Sequence, residues 1–370
     1  MKNKILFAVS LAILSMLAVT MSGVSKVSAS PGVATMTVGG SPYAVAINPN
    51  TNLVYVTNLA TNSVSVIDGG TDSVIASVPI TGALTGVAVL PDTQDVYVGN
   101  SASSSVTVIY GPTNAVKTSI SLSQRPASMA ANIKTDRVYV VTWTIANTQS
   151  NRLVVIAGSS YAMVKAIPLE TAPAAVAVNS YTGIVYLANP GTNSVTIIDG
   201  STDNIVDTIN VGSKPSGVAV DPIRNLIYVA NSGSNTVSVI DGSKGAVVAN
   251  ILVGSQPTGV AVNTEINRIY VTNFASNSVS IIDGSTRTTV AQIDVGSQPF
   301  GIDVNSATGA IYVADLGSGS VTSISGEIAV PEFPVGIAAV LLALFSFAGF
   351  AAKKQLRKQT QPESAVQDLN

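Results

Sequence analysis

The sequence predicts an all-β fold: a seven-bladed β-propeller of four-stranded antiparallel blades, with its ring closed by an N-terminal strand that completes the last blade. Three observations carry this. A tyrosine inside an apolar run recurs at Tyr55, Tyr97, Tyr139, Tyr186, Tyr228, Tyr270 and Tyr312, with gaps of 42 residues except for one of 47. A turn glycine recurs with the same gaps at Gly69, Gly111, Gly158, Gly200, Gly242, Gly284 and Gly326. Short strands at such a period, without a helical pattern, mark propeller blades: one four-stranded sheet cannot bury both faces alone, whereas seven in a ring can. The third observation is that the ends complement each other. The seventh unit runs out at Glu327 after three strands, and 33–39 (VATMTVG) matches the fourth strand of other units, such as 206–212 (VDTINVG). Joining the two protects an edge that would otherwise template aggregation.

The unit at 215–256 shows how each strand is specified. Residues 217–220 (GVAV) form a short apolar run ended by Asp221-Pro222, a turn signal. Residues 226–230 (LIYVA) are apolar throughout, as suits a strand covered on both faces. Residues 237–240 (VSVI) end at Asp241-Gly242, a tight-turn pair whose glycine can accept positive φ. Residues 247–253 form the fourth strand. Proline opens six of the seven units, with Leu84 in its place in the second. In the seventh unit the strands are expected at 300–304, 310–314 and 320–325.

Both ends carry membrane signals. Residues 1–29 run from Lys2 and Lys4 through an apolar stretch to the small residues Ser28-Ala29, the layout of a secretory signal peptide or an uncleaved anchor. Residues 335–352 hold no charge and as a helix would span about 27 Å, close to a bilayer core. Lys353, Lys354, Arg357 and Lys358 follow, so 353–370 is expected as a basic cytoplasmic tail. The alternative for 335–352 is a buried helix of a soluble protein. The transmembrane reading places the repeats outside, in type I orientation.

Composition then removes whole classes of function. The chain has no cysteine and no histidine, which excludes disulfides, thiolate chemistry, iron–sulfur clusters, histidine general bases and histidine haem ligands. Between residues 31 and 326 stand 11 Lys/Arg and 16 Asp/Glu with no basic stripe, so no nucleic-acid partner is expected. No cofactor is expected either.

Two local strings resemble known families. Tyr55-Val56-Thr57-Asn58 and Tyr270-Val271-Thr272-Asn273 are similar to the YVTN string of YVTN-family β-propeller repeats of archaeal surface-layer-type proteins. Pro331-Glu332-Phe333-Pro334, within a linker at 329–334, resembles an archaeal PEF-type sorting tail of motif, membrane helix and basic cluster. The first resemblance implies a propeller over 30–328 displayed outside the cell, with no catalytic residues to carry over. The second implies an archaeal surface protein cut near the motif, although such tails usually stop soon after the basic cluster and this chain continues for 12 residues. The chain also has no Asn-X-Ser/Thr sequon.

Repeated polar residues, such as Asp68, Asp199, Asp241 and Asp283 before the turn glycine, read as turn chemistry. Departures from the repeat carry more information. The third unit has eight residues, 143–150 (WTIANTQS), where others have three. Trp143, Asn147 and Gln149 of this insert, with Arg152 after it and Arg125 on the preceding inter-blade loop, form a candidate clamp for a sugar, carboxylate or peptide. The alternative is a tolerated surface insertion with its indole folded down as a plug. Asp303 replaces the alanine of the other six units, and Asp315 replaces the usual asparagine. The pair is a weak Ca²⁺ candidate, set against Asp303 facing water in the channel. The expected function is a membrane-anchored cell-envelope, adhesion or ligand-binding module, its partner a cell-envelope protein, peptide or glycan. The alternative is a lactonase-like propeller enzyme using carboxylates and calcium.

Overall fold

The computed structural model describes residues 32–144 and 151–326, all within one compact unit, Met1–Ala329. The predicted segments 1–29, 329–334, 335–352 and 353–370, and the insert residues Asn147 and Gln149, lie outside the described residues. Among the described residues no helix is long and apolar enough to cross a membrane.

The described chain forms 28 strands, numbered β1 (Gly32–Thr37) to β28 (Ser320–Ser325), in seven four-stranded antiparallel sheets. Six blades are consecutive quartets, and the seventh has the order β1-β28-β27-β26. The N-terminal strand therefore completes the last blade as the sequence predicts, in register from Gly32 opposite Ser325 to Thr37 opposite Ser320. The first strands of successive blades lie side by side around the axis, and the circle closes where β2 (Pro42–Asn48) meets β26 (Pro299–Val304). One face of the ring carries the hairpin turns between first and second and between third and fourth strands. The other, the linker face, carries the loops between second and third strands and the links from blade to blade.

In four of the seven pairs the two sequence landmarks are two ends of one contact. All seven tyrosines are among the largest fully buried side chains, and each such ring removes about 150–250 Å² from water. The Tyr97 hydroxyl donates to the Gly158 carbonyl of the next blade at 2.6 Å, and Tyr312 to Gly69 at 3.2 Å. A Cβ on Gly111 or Gly200 would stand 2.7 or 2.6 Å from the hydroxyls of Tyr55 and Tyr139. Close approach demands glycine at six of the seven positions, whereas Gly326, with φ 89° and open space, is held by its backbone conformation. This corrects the turn expected at Asp241-Gly242. The left-handed residue is Gly245 (φ 61°), with Asp72, Asp203 and Arg287 in the same conformation in other blades. Asp241 Oδ1 instead accepts from the backbone N–H groups of Ser243 and Lys244 at 3.0 and 3.2 Å, an Asx turn.

The strand-end asparagines are structural as well. Asn58, Asn231 and Asn273 donate from Nδ2 to Ser65, Ser238 and Ser280 on the adjacent strand at 3.0, 2.9 and 2.9 Å. A Cβ on Gly212 or Gly254 would lie within 2.6 or 2.5 Å of Asn231 or Asn273, which explains the Val-Gly ending of the fourth strand.

The seam between the seventh and first blades is built from its own contacts. Tyr43 stacks on Phe300 with centroids 4.5 Å apart. Asn305 Nδ2 donates to Asn52 Oδ1 at 2.7 Å. Asp72 accepts from the Tyr312 hydroxyl at 2.9 Å and the Ser323 hydroxyl at 3.0 Å. Met36, Ile47, Val54, Val56 and Tyr312 fill the space between.

Candidate functional site

β10 (Arg125–Asn132), β11 (Arg137–Trp143) and β12 (Asn151–Ala157) place the residues of the predicted clamp on the linker face of the third blade. Arg125 and Trp143 are directly opposite at the end of the β10–β11 ladder, and opposed residues of an antiparallel pair project from the same side of the sheet. Both side chains are exposed, Trp143 by 45%. The indole is nonetheless held: its Nε1 donates to the Pro173 carbonyl, which opens the fourth blade, at 2.9 Å. Trp143 is therefore an anchored ring with open surface rather than a folded-down plug.

Arg152 does not join this pair. It lies opposite Thr142, one residue along the strand, and so projects from the other side of the sheet. Its Nε is buried without a hydrogen-bond partner. Alternation along the strand separates two residues that lie close in sequence, and the clamp reduces to Arg125 and Trp143 among the described residues.

The two acids of the seventh blade are not brought together. In the β26–β27 ladder Asp303 lies opposite Tyr312, while Asp315, at the end of β27 (Ile311–Asp315), lies opposite Pro299. Three strand positions separate them, about 10 Å. Among the described residues no group of three or more Asp, Glu, His or Cys could hold a metal ion. Asp303 does not simply face open water. Its carboxylate accepts from Ile47 N–H across the seam at 2.9 Å and from Val304 N–H at 2.8 Å. Burial nevertheless pushes its pKa up to about 6, against the lowering effect of those two bonds. Asp315 is fully buried and accepts from Thr322 at 2.6 Å, and burial raises it to about 6 as well.

Two further clusters escaped the sequence reading. Asp95, 1% exposed, accepts from Lys117 Nζ at 3.2 Å and from the Tyr161 hydroxyl at 2.7 Å. The same ammonium lies 5.2 and 5.1 Å from the ring centroids of Tyr110 and Tyr161. Tyr161 and Asp95 hold the Lys117 pKa above its ordinary value. The available signal was Asp95 itself, the one acid where the other units have Leu53, Arg137, Ile184, Leu226, Arg268 and Ala310. The second cluster is Tyr43, Phe300 and Phe274 at the linker-face mouth of the channel, with Phe274 edge-on to Phe300 at 6.5 Å. Its signal was an aromatic after the opening proline, where other units have Thr85, Ala127, Ala174, Ser216 and Thr258.

No family model matches the chain, and no curated protein matches it in sequence. Among solved structures it is similar to the Kuenenia stuttgartiensis hydrazine synthase, with a TM-score of 0.70 and 20% identity over 80% of this chain and 98% of that one. At that identity the likeness shows the fold alone, and the fold it shows is the β-propeller.

Proposed function

We propose that this chain is an exported, membrane-anchored β-propeller, displayed on the outer cell surface, that binds a cell-envelope ligand at its linker face. Export and anchoring are supported by the charged–apolar–small layout of 1–29 and by the uncharged run at 335–352 with its basic flank. The resemblance of Tyr55–Asn58 and Pro331–Pro334 to YVTN repeats and PEF-type tails supports the same placement. The binding reading rests on one observation: an exposed indole, fixed by its bond to Pro173, belongs to the residue directly opposite exposed Arg125 in the strand ladder, where the repeat has been broken. A held aromatic ring loses little conformational entropy on binding, and arginine supplies directional donors.

The test is a glycan and peptide array probed with the full chain and with Trp143→Ser, the residue that the second and fifth units carry at this place as Ser101 and Ser232. Wild type should give a set of hits that the variant loses. Identical arrays from both proteins would remove the linker face as the binding surface.

A further inference from the structure

The linker face differs chemically from the hairpin face. The turn acids Asp68, Asp199, Asp241 and Asp283 lie on the hairpin face. Around the opposite mouth, the exposed residues just before the opening prolines include Arg125, Lys214, Gln256 and Gln298, and the exposed acids near the blade-to-blade links are Glu170 and Asp294. Serines from the same inter-blade links, such as Ser213, Ser255 and Ser297, stand beside them.

The unusual aromatic residues gather at this mouth. Phe274 and Phe300 are the only phenylalanines between residues 31 and 326, and Trp143 is the only tryptophan of the chain. Trp143 and Phe274 occupy equivalent places, each four residues after a repeat tyrosine. Tyr43 and Phe300 also occupy equivalent places, each following an opening proline. In the second, fifth and sixth blades that latter place holds Thr85, Ser216 or Thr258, whose hydroxyl donates to the next blade's opening residue, Pro126, Pro257 or Pro299, at 3.1, 2.7 or 3.2 Å. Tyr43 and Phe300 give up that latch for a stacked, half-buried ring pair. Rings therefore stand at two separate places on the linker face, Trp143 at the end of the second strand of the third blade and Tyr43–Phe300 across the seam of the seventh and first.

We propose that the linker-face mouth binds an anionic saccharide chain at two ring-stacking subsites, Trp143 and Tyr43–Phe300, with Arg125 taking its carboxylate beside Trp143. A pyranose offers an apolar face to an aromatic ring and hydroxyls to amides and serines. A carboxylate on the sugar matches the guanidinium of Arg125. This rests on the proposed binding role of the linker face and names its ligand class.

The experiment is calorimetric titration of the full chain in detergent with galacturonate dimer, galacturonate hexamer and methyl-esterified hexamer. The variants take residues that other blades already carry at the same places: Trp143→Ser, Tyr43→Thr and Arg125→Gln, each checked for an unchanged melting transition. The hexamer should bind at least tenfold more tightly than the dimer. Trp143→Ser and Tyr43→Thr should each weaken hexamer binding by about tenfold. Arg125→Gln should bring the acid hexamer down to the affinity of the ester. Equal affinity for dimer and hexamer, or unchanged hexamer binding by Tyr43→Thr, would overturn the second subsite. Failure of every saccharide to bind while a peptide binds in a Trp143-dependent way would overturn the ligand class and leave the proposed function standing. Hexamer binding that none of the three substitutions alters would overturn both.

Discussion

Replacing Asp303 with asparagine should stabilise the propeller at pH 8 and leave it nearly unchanged at pH 4. The carboxyl titrates near 3.8 when solvated and near 6 in the folded ring, because burial at the seam disfavours its charged form. A raised folded pKa means that ionisation works against folding. Below about pH 4 both states are protonated and the penalty is absent. It grows between pH 4 and 6 and is constant above that. Two pKa units correspond to about 3 kcal/mol. Asparagine keeps an acceptor for Ile47 N–H, so most of that penalty should be recovered as stability. For a domain of this size the gain corresponds to roughly 5 °C in Tm. Calorimetric melts of wild type and Asp303→Asn at pH 4 and pH 8 read it directly. A variant less stable than wild type at pH 8, or a difference independent of pH, would refute the argument. The first outcome would mean that the charged bonds to Ile47 and Val304 outweigh the cost of burial.

Asp315→Asn restores the residue of Asn58 and Asn273 and should reverse the bond to Thr322, with the amide donating; pH 8 melts should rise while pH 4 melts stay unchanged. Lys117→Met leaves the buried Asp95 with the Tyr161 hydroxyl alone and should cost about 1.5 kcal/mol in urea unfolding. Asp95→Leu/Lys117→Met, with leucine as in two other units, should recover most of that loss, and an additive double variant would show that the pair is not coupled. Ala34 and Ser323 are opposed across the β1–β28 ladder. In a chain without cysteine, Ala34→Cys/Ser323→Cys should oxidise to a single intramolecular disulfide that raises Tm, visible as a thiol-free product of faster gel mobility. Persistent free thiols would place the N-terminal strand elsewhere.

The fold was legible because its periodic residues are a physical necessity repeated seven times. Every blade buries a tyrosine, and six of the seven turn glycines lie too close to a neighbour for a Cβ, so both types recur in phase. Ring closure was legible because 33–39 carries the apolar alternation and terminal glycine of a fourth strand. The turn conformation was not, because Asp-Gly fits a two-residue turn as well as the longer Asx turn observed. The site was legible only in part. Trp143 and Arg125 announce themselves by breaking the pattern, but the strand alternation that turns Arg152 to the other side depends on register. Asp303 stood out among six alanines, whereas its acceptance of the Ile47 N–H is a contact across the seam between residues 256 positions apart. Tyr43 and Phe300, one position farther apart in sequence, become neighbours only once the ring closes.

Ligand entry at the linker face is tested most directly by the fluorescence of Trp143, since no other tryptophan contributes. Titrating the full chain with galacturonate hexamer should shift and saturate its emission at the calorimetric affinity, and Tyr43→Thr should weaken the titration without abolishing the shift. Hexamer binding detected by calorimetry with no change in Trp143 emission would contradict a site at this mouth.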